Sequence, residues 1–377
     1  MDFEKLAAPE SVGMDAAKIA ELYEIVKSQV DEGLTPGIQV VVARHGQPVV
    51  DQAIGQARRE PPTPVTTQTL FYSWSVVKPI TALAIHLLAE RGQLQLDDPI
   101  AAVWPEFGKH GKEGVTLRHV LTHRAGFPTT PERLDWTQLD NWETAVRAME
   151  ELELEWAPGT AVQYHELTFG WVLGEVVRRV DGRPIEVFVR DEFFIPLKMC
   201  DSHLKITPAE LPRTVELVAS DGFEQGAHAA HFFNLPVLRY SVIPAGGLHT
   251  TARDVARFYQ MLLNGGRLNG AQVLKPASIA QAVAPSFKPG DRERNSNQPS
   301  HRAHGFDLGG YADCTWGGAN SSPTTFGHNG FASNAAWADP ERQLVCVILN
   351  NGMQADEVNH RRLRQISQLV LDACDGN

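Results

Sequence analysis

Leu70-Phe71-Tyr72-Ser73-Trp74-Ser75-Val76-Val77-Lys78-Pro79-Ile80-Thr81-Ala82-Leu83 is the stretch around which the rest of the chain is organised. Within and beyond it, Ile80, Leu83, Ala84, Leu87 and Leu88 recur at the i, i+3, i+4, i+7 spacing of one helix face. The helix runs out near Arg91-Gly92, a basic residue followed by a glycine. Pro79 fixes its start, because proline lacks an N–H and fits only in the first turn, where backbone donors have no intrahelical partner. Ser75 therefore stands at or near the N-terminus. Free N–H groups and the positive end of the helix dipole favour negative charge on an oxygen there. Lys78, three residues on, shares its face. The residue before a proline avoids the helical region, so an irregular first turn is expected. Two readings fit the pair by itself: a serine nucleophile with a basic neighbour, or an N-cap serine beside a solvated lysine.

Outward from this stretch the chain shows strands at both ends around a helical middle. Residues 15–32 place Ile19, Leu22, Tyr23, Val26 and Val30 on one helix face, with Asp15 as N-cap. Ile38 to Ala43 and Pro48 to Ile54 flank Arg44-His45-Gly46-Gln47, a hairpin signal with glycine for a positive φ. From Thr116 to about Val180 the period is helical. Strand-like runs return at Ala335 to Asp339 and Leu344 to Leu349, separated by Pro340-Glu341-Arg342, and a terminal amphipathic helix is expected over Val358 to Ala373. Between them, Lys288 to Thr325 reads as a long polar loop with a short strand near His304 to Tyr311. One sheet built from both termini follows. The expected class is α+β, a mainly antiparallel sheet flanked by helices, with residues 1–100 and 240–377 forming the sheet domain and 101–239 an inserted, mainly helical domain.

At 377 residues, with 43% hydrophobic and 21% charged residues, the chain is an ordinary globular protein able to bury a large core. A net charge of -11 argues against nucleic acid or an anionic membrane as partner, since both need clustered Lys and Arg. The N-terminus Met1-Asp2-Phe3-Glu4-Lys5 shows no secretory signal, and no run approaches the ~18 apolar residues of a membrane span, so a cytoplasmic location is expected. Cys200, Cys314, Cys346 and Cys374 have no metal-like or paired spacing, and reduced thiols are expected.

A serine nucleophile needs a base, an oxyanion site and a pocket. No Gly-x-Ser-x-Gly is present, which argues against a nucleophile elbow. A second Ser-x-x-Lys string, Ser202-His203-Leu204-Lys205, runs into Ile206-Thr207-Pro208 and reads as polar strand or loop. Histidine pairs at His119/His123, His228/His231 and His301/His304 lack the glutamate of a zinc-protease motif, so no metal and no cofactor is expected.

Several strings, in order, resemble the serine β-lactamase and penicillin-binding-protein superfamily, and within it the class C-like branch containing family VIII carboxylesterases. They are Pro36-Gly37-Ile38 before the turn Arg44-His45-Gly46, Leu70-Phe71 before Ser75-Val76-Val77-Lys78, and Gly92-Gln93-Leu94-Gln95-Leu96-Asp97-Asp98-Pro99-Ile100. Val120-Leu121-Thr122-His123-Arg124-Ala125-Gly126, Pro158-Gly159-Thr160 ahead of Tyr164, Gly246-Gly247-Leu248-His249-Thr250-Thr251 and Gly327-His328-Asn329-Gly330-Phe331 continue the series over most of the chain.

The resemblance implies a β-lactamase/transpeptidase-like fold with Ser75, Lys78 and Tyr164 as catalytic residues. Backbone N–H groups of Ser75 and Phe331 would form the oxyanion hole, and His328, Asn329, Gly330 and Glu166 would contact substrate. Tyr164-His165-Glu166 departs from the family's Tyr-x-Asn by placing Glu166 at the asparagine position. A carboxylate there is expected to favour protonated Lys78, whose charge would lower the Tyr164 pKa and make the phenol the proton acceptor. His328-Asn329-Gly330 stands where β-lactamases carry Lys-Thr-Gly. The strings Lys109-His110-Gly111 and Lys288-Pro289-Gly290 lead into polar loop instead. A neutral histidine is a poorer partner for a substrate carboxylate than lysine, so small, largely uncharged esters are expected as substrates rather than penicillins or cell-wall peptides. Alternative readings are a β-lactamase or D-amino-acid peptidase, an acyltransferase, and a non-catalytic binding protein of the same fold.

Overall fold

The apolar runs that bracket the chain pair with each other. Gly37–Arg44 lies antiparallel to Leu344–Asn350, with Ile38 opposite Asn350 and Arg44 opposite Leu344. The computed structural model describes residues 1–310 and 314–375. Its main sheet has seven strands in the order Thr63–Pro64, Gln47–Arg58, Gly37–Arg44, Leu344–Asn350, Ala335–Asp339, Phe326–Asn329, Asp307–Leu308. Every neighbouring pair is antiparallel, so the expected α+β class is the observed one. His45 (φ 52°) and Gly46 (φ 77°) form the two-residue turn of the first hairpin, where positive φ at both positions matches the twist of the strands. The short strand expected near His304 to Tyr311 is Asp307–Leu308, and Tyr311 lies outside the described residues.

The pleat sorts the strand residues into two cores. Val40, Val42, Cys346 and Ile348 face the helices Ala16–Asp31 and Asp356–Asp375, while Val41, Ala43, Val345 and Val347 face the interior that holds the Ser75 helix. Cover on both faces explains why these strands read as unbroken apolar runs. Asp15 caps the first long helix as expected, its carboxylate accepting from Ala17 N–H at 2.7 Å and Lys18 N–H at 3.2 Å.

The helix that follows Ser75 is Lys78–Glu90, and every residue from Lys78 to Leu88 is buried. The sequence shows one apolar face; the structure covers all sides, because Thr168–Asp181 packs along one flank and Pro276–Val283 along another. The expected irregular first turn is a 3-10 turn, Trp74–Val77, which passes directly into the α-helix with Pro79 in its first turn. Segment 101–239 contributes Leu117–Leu121, Trp142–Glu150, Thr168–Asp181 and Glu224–Phe233, and one strand, Val218–Ala219, among the described residues. Its Trp171, Val172 and Val176 share a continuous core with Leu83, Leu87 and Val347. Among the described residues no helix is long and apolar enough to cross a membrane. A cleft of about 540 Å³ opens between the end of the Phe326–Asn329 strand and this helical segment, and Ser75 lines it.

Candidate active site

Ser75 is the second residue of the 3-10 turn, and Trp74 before it has φ 49°. A bulky side chain enters the left-handed region only when its surroundings hold it there. Those surroundings are visible. The Trp74 ring meets Tyr72 and Phe233 edge-on, each at 4.9 Å between centroids. Ser73 N–H donates to Leu248 O at 2.8 Å, and the Asn334 amide donates to Tyr72 O at 2.9 Å, so the turn is tied down on two sides.

One turn on, Lys78 is fully buried and its Nζ has three polar neighbours. They are the backbone carbonyl of Glu166 at 2.6 Å, the carbonyl of Ala245 at 2.9 Å and Ser75 Oγ at 3.2 Å. Burial holds its pKa well below that of an ordinary lysine; the Glu166 and Asp307 charges push it up, and Arg302 adds to the lowering. The net shift runs against the protonated form that was expected. Glu166 acts in the expected direction, but it is an exposed residue on the cleft wall whose main-chain carbonyl, rather than its carboxylate, holds the amine. Loss of hydration outweighs its charge.

Tyr164 stands beside the pair, with Lys78 Nζ 4.7 Å from its ring centroid. Burial raises the phenol pKa far above the ordinary value, and the neighbouring Ser75 hydroxyl and the Arg302 charge only partly oppose this. The phenol oxygen is buried and makes no hydrogen bond of good geometry, while Ser75 faces it. The Tyr164 pKa expected to fall is instead raised, because burial of the phenol outweighs the neighbouring Ser75 hydroxyl and Arg302 charge.

The strand Phe326–Asn329 brings the remaining segment. A Cβ on Gly330 would stand 2.7 Å from Ser73 O and 3.1 Å from Trp74 Cβ, so only glycine permits this approach to the serine turn. Asn329 and Phe331 line the cleft, and the Phe331 ring meets Trp74 at 5.4 Å. His328 does not line it. Its ring is buried, Nδ1 donates to Asn329 O at 2.6 Å, and burial lowers its pKa to about 4. Of the expected substrate contacts, His328 is thus behind the wall, because strand alternation turns it away from the face that Asn329 presents.

Three charged residues escaped the sequence reading. Arg302 lies on the cleft wall with its guanidinium 4.7 Å from the Tyr164 centroid, and it pairs with Glu293 at 2.9 Å and with Asp307. Burial works against the Arg302 charge, but the two carboxylates more than offset it and its pKa rises. Glu293 also accepts from Tyr164 N–H at 3.0 Å, which ties the tyrosine segment to the polar loop. The density of Asp, Glu and Arg in that otherwise apolar-poor loop was the available signal. His123, which the sequence analysis gave no role at the site, braces the same segment: its carbonyl accepts from Gln163 N–H at 3.1 Å and its Nδ1 from His165 N–H at 3.0 Å.

The other strings lie elsewhere. Ser202 bonds to Thr250 and Asp254 inside the core, and Lys205 is exposed. Lys109 pairs with Glu151 at the surface, and Lys288 lines a separate hollow with Arg118 and Arg124. Among the described residues no group of three His, Cys, Asp or Glu is placed to hold a metal ion.

The arrangement has counterparts in known proteins. Residues 22–370 match the family model described as Beta-lactamase. The Esterase/beta-lactamase LipL of Mycobacterium tuberculosis (strain ATCC 25618 / H37Rv) is 30% identical over 347 residues, covering 84% of this chain and 77% of LipL. Among solved structures, a family VIII carboxylesterase superposes with TM-score 0.82 at 25% identity, covering 95% of this chain and 99% of its own. A penicillin-binding protein homolog from Caulobacter crescentus superposes with TM-score 0.81 at 27% identity, covering 96% and 99%. A match spanning all seven sheet strands and the Ser75 helix, joined to a relative at this identity, means that the chain belongs to the beta-lactamase family and is a hydrolase of that fold.

Proposed function

We propose that the chain is a serine carboxylesterase acting on small esters through an acyl-enzyme at Ser75. The observation that carries this reading is the coordination of Lys78. A neutral amine has two N–H bonds and one lone pair. In that form the carbonyls of Glu166 and Ala245 would take the two N–H bonds and the lone pair would face Ser75 Oγ, which stands 3.2 Å from Nζ.

In the proposed reaction, Ser75 Oγ attacks the ester carbonyl carbon as its proton passes to Lys78 Nζ. The oxyanion is received by the backbone N–H groups of Ser75 and Phe331, both on the cleft wall. Collapse breaks the bond to the leaving alkoxide, which takes a proton from Tyr164 as Lys78 reprotonates the phenol. The high Tyr164 pKa suits a donor, since the phenol stays protonated until the alkoxide forms. Water then attacks the acyl-enzyme, gives its proton to Lys78, and Ser75 leaves with that proton restored.

Ester rather than anionic β-lactam as substrate is supported by the charges on the wall. Arg302 is the permanently charged cation there, and two carboxylates already hold it. The name of the structurally similar family VIII carboxylesterase points the same way, while LipL is described as both esterase and beta-lactamase. Turnover of 4-nitrophenyl butyrate by the parent and a loss of about 10³-fold or more in Ser75→Ala, with an unchanged circular dichroism spectrum, is the expected result. A Ser75→Ala protein as active as the parent, or failure of a fluorophosphonate to label Ser75, sinks the proposal.

A further inference from the structure

Two features of the cleft are unused by the mechanism above. The first is a set of three aromatic rings on its wall. Trp74 is 6% exposed and meets Phe233 at 4.9 Å and Phe331 at 5.4 Å, both edge-on, while Phe233 and Phe331 are half-buried and supply the aromatic surface open to the cleft. The second is the charge balance. Glu166 and Asp356 are exposed carboxylates on the same wall, and neither forms an ion pair among the described residues. Arg302 is matched by Glu293 in front and Asp307 behind, which leaves that group negative as well. His360, also on the wall, loses its proton readily because it is half-buried, despite the nearby Asp356 charge. Asp356 opens the terminal helix and Glu166 stands two residues before the helix Thr168–Asp181, so a helix N-terminus lies near each carboxylate.

Aromatic faces attract cations through the ring quadrupole, and a quaternary ammonium suits them because it is weakly hydrated. A carboxylate beside the rings adds a Coulomb term that is stronger in a cleft than in open water. We infer that the cleft selects esters carrying a quaternary ammonium group, which the half-buried Phe233 and Phe331 rings receive, with Trp74 packed behind them, and the Glu166 carboxylate neutralises. This rests on the esterase reading for turnover but not for binding. The net charge of -11 draws the same ligands toward the protein and repels anionic ones.

The test uses a cation and its uncharged carbon isostere, so that shape is held constant. Choline is compared with 3,3-dimethylbutan-1-ol by calorimetry on the full chain, and butyrylcholine with 3,3-dimethylbutyl butyrate by kcat/KM. Choline is expected to bind about tenfold tighter than the alcohol, and butyrylcholine to be preferred by a similar factor. Both ratios are expected to fall toward one in Glu166→Gln and to shrink as salt rises from about 0.02 M to about 0.5 M. Taking ratios within each protein cancels any change that Glu166→Gln makes to the chemical step. Equal affinity for choline and its isostere overturns the inference, as does a preference that survives Glu166→Gln unchanged. Turnover of the uncharged ester with no cation preference leaves the esterase reading standing and removes this one. Tight choline binding without turnover of any ester does the reverse.

Discussion

Lys78 is where sequence and surroundings pull hardest in opposite directions. A lysine three residues after a serine is as consistent with a solvated ammonium as with a base, and only its complete burial removes the solvated reading. Its neighbours set opposite pH dependences. In the proposed mechanism activity requires the neutral amine, so it is expected to fall as pH drops through the Lys78 pKa. Glu166 raises that pKa, so Glu166→Gln is expected to move the acidic limb of the kcat/KM profile to lower pH. Arg302 lowers it, so Arg302→Gln is expected to move the limb to higher pH, helped by the two carboxylates it leaves unmatched. The same substitution breaks a largely buried ionic group and is expected to cost about 3 kcal/mol of stability by urea unfolding. Two limbs shifted in the same direction would remove Lys78 as the titrating base.

At the level of elements, the site is the meeting of a strand end with a helix start. The 3-10 turn Trp74–Val77 puts Ser75 forward, and the strand Phe326–Asn329 delivers Gly330 against the turn's backbone. Gly330→Ala places a methyl 2.7 Å from Ser73 O, and since backbone cannot yield cheaply the strand must withdraw from the serine. A displacement of this kind is expected to cost about 10²-fold in kcat/KM and about 1–3 kcal/mol in stability, read by kinetics and thermal unfolding of the same sample. A variant with parent kinetics would mean that the strand does not help form the oxyanion site. The helix was legible in the sequence from its 3.6-residue period and Pro79, whereas the strand Phe326–Asn329 was not, and only the family resemblance put His328-Asn329-Gly330 at the site. The contact between the two was not legible either, because glycine tolerates close approach without specifying what approaches.

Across the whole molecule, the sheet is closed by two ends of the chain that meet between Ile38 and Asn350, and its two cores depend on that closure. Ile348 is fully buried on the face opposite the cleft, against the two terminal helices. Ile348→Ala is expected to lower stability by about 2–5 kcal/mol while leaving kcat/KM of the folded enzyme unchanged, which separates the scaffold from the site. A large fall in kcat/KM at full folding would show that this face is coupled to the cleft. The sequence by itself determined the elements, since apolar period, proline and turn glycines act over a few residues: the Asp15 cap, the His45-Gly46 hairpin, the Ser75 helix and the α+β class all follow from local rules. It also put Ser75, Lys78, Tyr164 and Phe331 in a common set, through the order of their motifs. Tertiary structure alone decided their chemistry. A pKa depends on which carbonyls, charges and waters surround a group, and Arg302, Glu293 and Asp307 reach the site from a loop more than a hundred residues from Tyr164. That is why the direction of the Lys78 and Tyr164 shifts differs from the one expected from the sequence while the residues themselves come together.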